Sequence, residues 1–246
     1  MICVVLAAGY ATRLYPLTEN FPKPLLEVGG RAILDHLMDA VTDSGAVEQF
    51  IIATNGKYAH HFEAWATAMT ATQDLPVQVL SNGTMTNETR MGAVKDLQYA
   101  IDTLGLTGDL LAVAGDNILD FTLGPFIAYA RAKGTTCVMR YSEDDREKCR
   151  KSGVLQVDGY DRVTSMEEKP TEPKSQWLCP PFYYFTQADA VRIPQAIADG
   201  CGTDAPGSYI AWLCERSPVH AMQMPGQRYD IGDIESLERV RREYVR

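Results

Sequence analysis

No apolar run in the chain approaches the ~20 residues that a membrane-spanning helix needs, so a membrane-embedded protein is not expected. Positive charge is also scarce. Against 23 Lys and Arg stand 32 Asp and Glu, a net charge of −9. Nucleic acid or an anionic membrane would call for a basic face, and neither is expected as a partner. Six cysteines (Cys3, Cys137, Cys149, Cys179, Cys201 and Cys214) are scattered without a C-x-x-C pair, which reads as free cytosolic thiols and not as a zinc site. His36, His60, His61 and His220 fall in no metal-ligating spacing and read as surface or packing residues. No Ser-His-Asp set can be assembled, and there is no internal repeat, low-complexity tract or flexible linker. The strand pattern starts at residue 2, which leaves no room for a signal peptide, so a cytoplasmic location is expected.

What remains is a chain of 246 residues, 46% apolar and 22% charged, long enough to bury roughly 70–75% of its unfolded surface. Short apolar runs alternate with helical periodicity. Ile2–Ala7, Phe50–Ala53, Val77–Leu80, Leu110–Ala114 and Thr135–Tyr141 read as strands. Between them, Ile33, Leu34, Leu37, Met38 and Val41 repeat at helical spacing, and helices follow near Ala59–Met69, Gly92–Leu104 and Phe126–Ala132. Such βα alternation predicts an α/β, Rossmann-like three-layer sandwich with a mixed, mostly parallel central sheet. From about Ser142 the texture changes. Glu143–Lys151 is a dense charge run, and two short strands flank the turn Asp158–Asp161. One long aromatic strand is expected over Trp177–Phe185, buried in the core. Helices at Ala188–Ala198 and Ser208–Arg216, a strand at Val219–Met224 and a closing helix at Asp233–Val245 complete the pattern.

The chemistry gathers first around the end of the opening strand. Ala8–Arg13 is a small-residue loop in which Gly9 lets the backbone approach a phosphate and Arg13 offers a planar fork for its oxygens. Lys23 stands between Pro22 and Pro24, so a second cation is carried on a stiff segment. Strand-end amides with an Arg and a rigidly aimed Lys suit the anionic tail of a nucleotide. Asp116 directly follows an apolar strand, where its carboxylate could hold a magnesium ion or simply cap a turn with Asn117. Asp230 is the natural second carboxylate; Asp233 competes, but is better explained as the N-cap of the last helix.

Leu6-Ala-Ala-Gly-x-x-Thr-Arg-Leu-x-Pro-Leu-Thr18, followed by Pro22-Lys-Pro-Leu-Leu26, resembles the signature of the nucleotidyltransferases that make NDP-sugars from sugar 1-phosphates. It is similar also to the related cytidylyltransferases acting on phosphocholine or phosphonates. Gly115-Asp116-Asn117, Glu168-Lys169-Pro170 and Tyr229-Asp230-Ile231-Gly232 follow in that family's order, so the resemblance spans nearly the whole chain. It implies one nucleotidyltransferase domain over 1–246, with a nucleotide-binding part at about 1–141 and an acceptor-binding part at about 142–246. It further implies a magnesium-dependent condensation of an NTP with a sugar 1-phosphate. Leu6, Ala8, Gly9 and Gly92 would contact the nucleotide, Arg13 the leaving pyrophosphate and Lys23 the α-phosphate. Asp116 and Asp230 would hold the metal, while Gly153, Glu168 and Lys169 would hold the acceptor. Asn87 and Arg90 could read base edges, and an Arg donor suits the carbonyls of uracil or thymine.

Two departures stand out. Ala11 replaces a second family glycine, and Cys179–Phe185 carries a double proline where the family has a glycine-containing strand. Two other readings compete with the NDP-sugar enzyme: a cytidylyltransferase for phosphocholine or a phosphonate, with Tyr183-Tyr184 as an aromatic cage, and a non-catalytic sugar-nucleotide sensor on the same fold. A dinucleotide dehydrogenase fits poorly, because Gly9-x-Ala11-x-x-Leu14 lacks the G-x-G-x-x-G spacing. The expected partners are thus a nucleoside triphosphate and a phosphorylated small-molecule acceptor, with a homo-oligomer left open.

Overall fold

A computed structural model describes residues 1–70 and 75–244. In chain order its elements begin with β1 (Ile2–Leu6), β2 (Glu27–Val28), β3 (Arg31–Ala32), α1 (Ile33–Thr42), β4 (Gln49–Thr54), α2 (Ala59–Thr70) and β5 (Val77–Ser81). Then come α3 (Ala93–Leu104), β6 (Leu110–Ala114), β7 (Asn117–Leu119), α4 (Gly124–Lys133), β8 (Thr136–Ser142) and α5 (Arg146–Cys149). A third group is β9 (Gly153–Val157), β10 (Val163–Glu168), β11 (Trp177–Leu178), β12 (Phe182–Phe185), α6 (Gln187–Ala190) and α7 (Ile193–Ala198). The chain closes with α8 (Gly207–Cys214), β13 (Val219–Gln223), β14 (Arg228–Asp230) and α9 (Ile234–Glu243). The expected end of the last helix at Val245 lies outside the described residues.

Two compact units emerge, neither continuous in sequence. The first comprises Ile2–Arg90, Ala114–Gly124 and Pro225–Arg246; the second comprises Met91–Val113 and Pro125–Met224, with Met1. The chain leaves and re-enters the first unit, so the two do not follow a single cut near residue 141.

In the first unit β1, β4 and β5 pair in parallel, with Ile2 opposite Gln49 and Phe50 opposite Val77. β1 and β4 are almost wholly buried, which explains their apolar, β-branched composition. Every residue of the helical repeat in α1 (Ile33, Leu34, Leu37, Met38 and Val41) is buried, as the spacing predicts. Asp35 starts the helix by accepting from the Ala32 N–H at 3.0 Å. A two-stranded pair, β7 with β14, sets Asn117 opposite Asp230. Beneath it Leu14, Leu26, Val28, Ile33, Ile118, Ile231, Leu237 and Val240 form one cluster, so the phosphate loop, the metal candidates and the last helix share a core.

The second unit departs from the mostly parallel expectation. β12 runs antiparallel to both β6 and β8, β11 to β8 and β9, and β9 to β10. β13 pairs with β8 in parallel. The reason is local: β9 and β10 are joined by a tight turn through Asp158–Asp161, and a parallel pair would require a crossover of a dozen or more residues. The mixed α/β class holds, with the parallel character concentrated in the first unit.

Trp177–Phe185 is not one strand but two. Cys179-Pro180-Pro181 interrupts it, because proline has no N–H to give to a ladder. The pieces pair differently, Leu178 facing Tyr141 and Val154, and Phe182 facing Val113. The helix expected over Ala188–Ala198 is likewise split into α6 and α7, with Pro194 in the first turn of the second. Phe182, Tyr183, Tyr184 and Phe185 are all buried, in line with the core reading of this run.

Candidate active site

In the first unit, Ala8 closes the end of β1 and its carbonyl accepts from Asn55 Nδ2 at 3.0 Å, which fixes the start of the loop. Gly9 has open space where a Cβ would stand, so a ligand can come directly against the backbone there. Ala11 has φ 47 and ψ 44, the left-handed conformation for which the family's glycine is suited. Its carbonyl accepts from Thr18 Oγ1 at 2.8 Å and from the Leu14 N–H at 2.9 Å, and these bonds hold the strained residue in place. Arg13 lies within the next turn, Thr12–Leu14, with its guanidinium beside Gly232; hydrogen bonds from Ser236 lower the Asp233 pKa, and Arg13 adds to the effect.

Lys23 begins a short turn after Pro22 and is 8% exposed. Its Nζ donates to Asp116 Oδ2 at 2.7 Å. The other oxygen of Asp116 accepts from Asn117 Nδ2 at 2.9 Å. Burial alone would raise the Asp116 pKa, but the charge and hydrogen bond of Lys23, helped by Arg228, hold it below the usual carboxylate range. Gly115, the residue before, has no space for a side chain: a Cβ there would stand 3.0 Å from Val5 Cγ1. The turn that presents Asp116 is therefore packed against the first strand.

Asp230 reaches the same place through the β7–β14 pairing, and its carboxylate is exposed. Arg228 Nη1 donates to Asn117 Oδ1 at 2.7 Å and lies 3.5 Å from Asp230 Oδ1. Asn117, fully buried, and Arg228 thus tie the two aspartates together. Sequence reasoning missed Arg228, although the signal was present: it lies two residues before Asp230, on the same face of a strand. Asp233 caps α9 by accepting from the Ser236 N–H at 2.8 Å, as expected of it. Arg13, Lys23, Asp116 and Asp230 accordingly lie in one unit, Lys23 on Asp116, Arg228 between Asn117 and Asp230, and Arg13 beside Gly232. Both carboxylates present hard oxygen donors, and among the described residues no third His, Cys, Asp or Glu joins them. Such a set fits magnesium, which takes one or two carboxylates and completes its shell with water and phosphate oxygens.

The loop of Asn87 and Arg90 also belongs to the first unit. Arg90 Nη1 donates to the Asn87 carbonyl at 3.0 Å, across a single turn, and Arg90 is exposed. Tyr10 OH donates to Thr84 Oγ1 at 3.1 Å, which connects this loop to the phosphate loop.

The remaining candidates lie in the second unit. Gly92 has φ 91 and packs on Thr203, whose carbonyl a Cβ would overlap; the Ala93 and Val94 amides that open α3 donate to the carbonyls of Asp204 and Thr203. Glu168 lies opposite Gly153 on the β9–β10 ladder. Its carboxylate is enclosed by glycines: a Cβ on Gly153 would stand 3.1 Å from Oε1, and one on Gly207 would overlap it. Burial raises the Glu168 pKa, with Asp204 adding to the rise, while Lys169 and the Gly207 N–H oppose it. Lys169 differs from expectation. The following proline should favour extended backbone, yet Lys169 has φ 48, held by its N–H donating to the Ser152 carbonyl at 3.0 Å. Its exposed Nζ is 4.0 Å from Asp204 Oδ2, so Asp204 joins Glu168 and Lys169 without any motif announcing it.

A family model described as nucleotidyl transferase matches residues 2–246. The chain is 31% identical over 193 residues to the UTP–glucose-1-phosphate uridylyltransferase AglF of Haloferax volcanii, covering 76% of this chain and 73% of that protein. It is 24% identical over 260 residues to a glucose-1-phosphate adenylyltransferase of Fervidobacterium nodosum, covering all of this chain and 61% of the other. In fold it is similar to a crystal structure of UDP-glucose pyrophosphorylase complexed with UDP-glucose, with a TM-score of 0.84, 17% identity and coverage of 99% and 97% of the two chains. With a match along its length and the motif residues gathered as described, this chain belongs to the nucleotidyl transferase family.

Proposed function

We propose that the protein condenses a nucleoside triphosphate with a sugar 1-phosphate, releasing pyrophosphate and forming an NDP-sugar. The observation that carries this reading is the Lys23–Asp116 pair at 2.7 Å, in the same unit as Arg13 and Asp230. In this reaction an oxygen of the acceptor phosphate attacks the α-phosphorus in line as the pyrophosphate oxygen leaves. Positioning and charge neutralisation matter more than a side-chain base. Leu6, Ala8 and Gly9 line the nucleotide with backbone, Lys23 neutralises the α-phosphate and Arg13 holds the departing pyrophosphate. Asp116 and Asp230 would hold Mg²⁺, which when bound supplies charge neutralisation at the phosphates. Lys169 engages the acceptor phosphate; Glu168, fixed by the Gly207 N–H and opposite Gly153, accepts from sugar hydroxyls. A uracil or thymine base suits Arg90 as a donor, and the identity to a uridylyltransferase supports UTP and glucose 1-phosphate as the first pair to try.

The phosphocholine reading loses its support: Tyr183 and Tyr184 are each 2% exposed, and the Tyr184 hydroxyl donates to Asp109, so neither can form an open cage. A pyrophosphate-release assay crossing the common NTPs with sugar 1-phosphates and phosphocholine is the test. Release with a sugar 1-phosphate supports the proposal; release with phosphocholine alone, or none with any pair, refutes it.

A further inference from the structure

Between the two candidate metal ligands stands a cation that the proposed reaction does not use. Arg228 Nη1 donates to Asn117 Oδ1 at 2.7 Å and lies 3.5 Å from Asp230 Oδ1. Its side chain is 13% exposed, against 56% for that of Asp230, so the arginine is fixed while the carboxylate stays open to a ligand. Asn117 is fully buried, and its Nδ2 donates to the Ala114 carbonyl at 3.1 Å and to Asp116 Oδ1 at 2.9 Å. An amide whose nitrogen faces two acceptors turns its oxygen to the guanidinium, so Arg228 is held by a partner that cannot rotate away. Lys23, Asp116, Asn117, Arg228 and Asp230 thus form one polar chain within the first unit.

Charge decides what this chain does. Lys23 stands against Asp116 and Arg228 against Asp230, two charges of each sign. A divalent cation arriving alone meets carboxylates that are already neutralised, and two fixed cations repel it. The polyanionic triphosphate reverses that balance, and its oxygens also complete the shell of a magnesium ion. On the reading of Asp116 and Asp230 as metal ligands, we propose that Arg228 is a positioning residue. It holds Asp230 in place and neutralises it, so that the metal enters with the nucleotide and not ahead of it. Removing an arginine that served the fold alone would leave metal binding unchanged or weaker; removing this one strengthens it.

The test is titration of Mn²⁺ into the protein without nucleotide, followed by the spin-resonance signal of the free ion, which does not depend on turnover. Arg228→Gln removes the charge and keeps a donor for Asn117. It should bind Mn²⁺ about tenfold more tightly than wild type, the scale of one unit charge beside a site at a protein surface. Arg228→Lys keeps the charge and should stay close to wild type. Adding Asp230→Asn to Arg228→Gln should remove the gain. Thermal melts verify the folds, and Arg228→Met serves as a second charge-free variant with the same expected tightening. Unchanged or weaker Mn²⁺ binding by the folded charge-free variants would overturn the role, as would equal tightening in Arg228→Lys. Titrating Mn²⁺ with UTP present separates this failure from that of the metal site. Joint binding that Asp116→Asn abolishes, with no tightening on loss of Arg228, removes only the role of Arg228. Joint binding indifferent to both Asp116→Asn and Asp230→Asn removes the metal site as well.

Discussion

Asp116→Asn is the most informative perturbation of the site. Asp116 shares a 2.7 Å contact with Lys23, whose side chain is only 9% exposed against 35% for the aspartate. Removing one partner of a fully buried pair costs about 3–5 kcal/mol, because the other charge is left stranded. An exposed pair is worth about 0–1 kcal/mol. With Lys23 buried and Asp116 a third open to solvent, the expected loss is about 2 kcal/mol at neutral pH. The sign with pH follows from the lowered carboxyl pKa: the contribution is present above the unfolded value of about 3.9 and lost as pH falls through the folded value. Urea unfolding of wild type and variant should therefore show a gap at about pH 7 that narrows as pH falls below the usual carboxylate range. A double-mutant cycle with Lys23→Met should return a coupling energy of about 1–2 kcal/mol. The same Asp116→Asn protein should lose turnover by orders of magnitude while remaining folded. A gap that persists in acid, or near-normal turnover, would refute the role given to this pair.

Ala11→Gly should raise stability by up to ~1 kcal/mol, the relief of a left-handed alanine less the entropy that glycine adds to the unfolded chain, and should leave activity intact. Gly92→Ala should lower stability by about 2 kcal/mol or more, read by urea melts, because its Cβ would overlap the Thr203 carbonyl. Glu168→Gln tests the raised carboxyl pKa. A folded value above the unfolded one means that stability from this group declines as pH rises through the carboxylate range, so the variant should lack that decline. Its KM for the sugar 1-phosphate should rise about tenfold or more through loss of a charge-assisted acceptor. Chelation by EDTA should abolish turnover and leave the melting temperature unchanged, since the metal proposed at Asp116 and Asp230 is held largely with substrate; retained turnover would remove the metal from the scheme.

Much of the fold was legible because its signals are long and local. The α1 repeat and the β1 and β4 runs each carry enough residues for periodicity to speak, and each is buried as its pattern requires. β7 and β14 are three residues each and meet across more than a hundred positions, too short for a pattern and too distant for a turn signal. The two metal candidates, and Asn117 beside the first, could thus be named from their motifs, while the strand pairing that brings Arg228 between them could not. The broken Trp177–Phe185 strand was marked by its prolines, yet the run of aromatics outweighed them in the reading. Asp204 has no sequence mark at all; its place near Lys169 depends on how loops pack together.

The convergence of cations on one polyphosphate can be tested without turnover, by calorimetric titration of UTP into wild type and Arg13→Gln. A charge-assisted hydrogen bond to phosphate is worth roughly 1.5–3 kcal/mol, so UTP should bind about ten- to a hundredfold more weakly to the variant. Equal affinity would mean that Arg13 does not face the triphosphate, and would contradict the site as assembled.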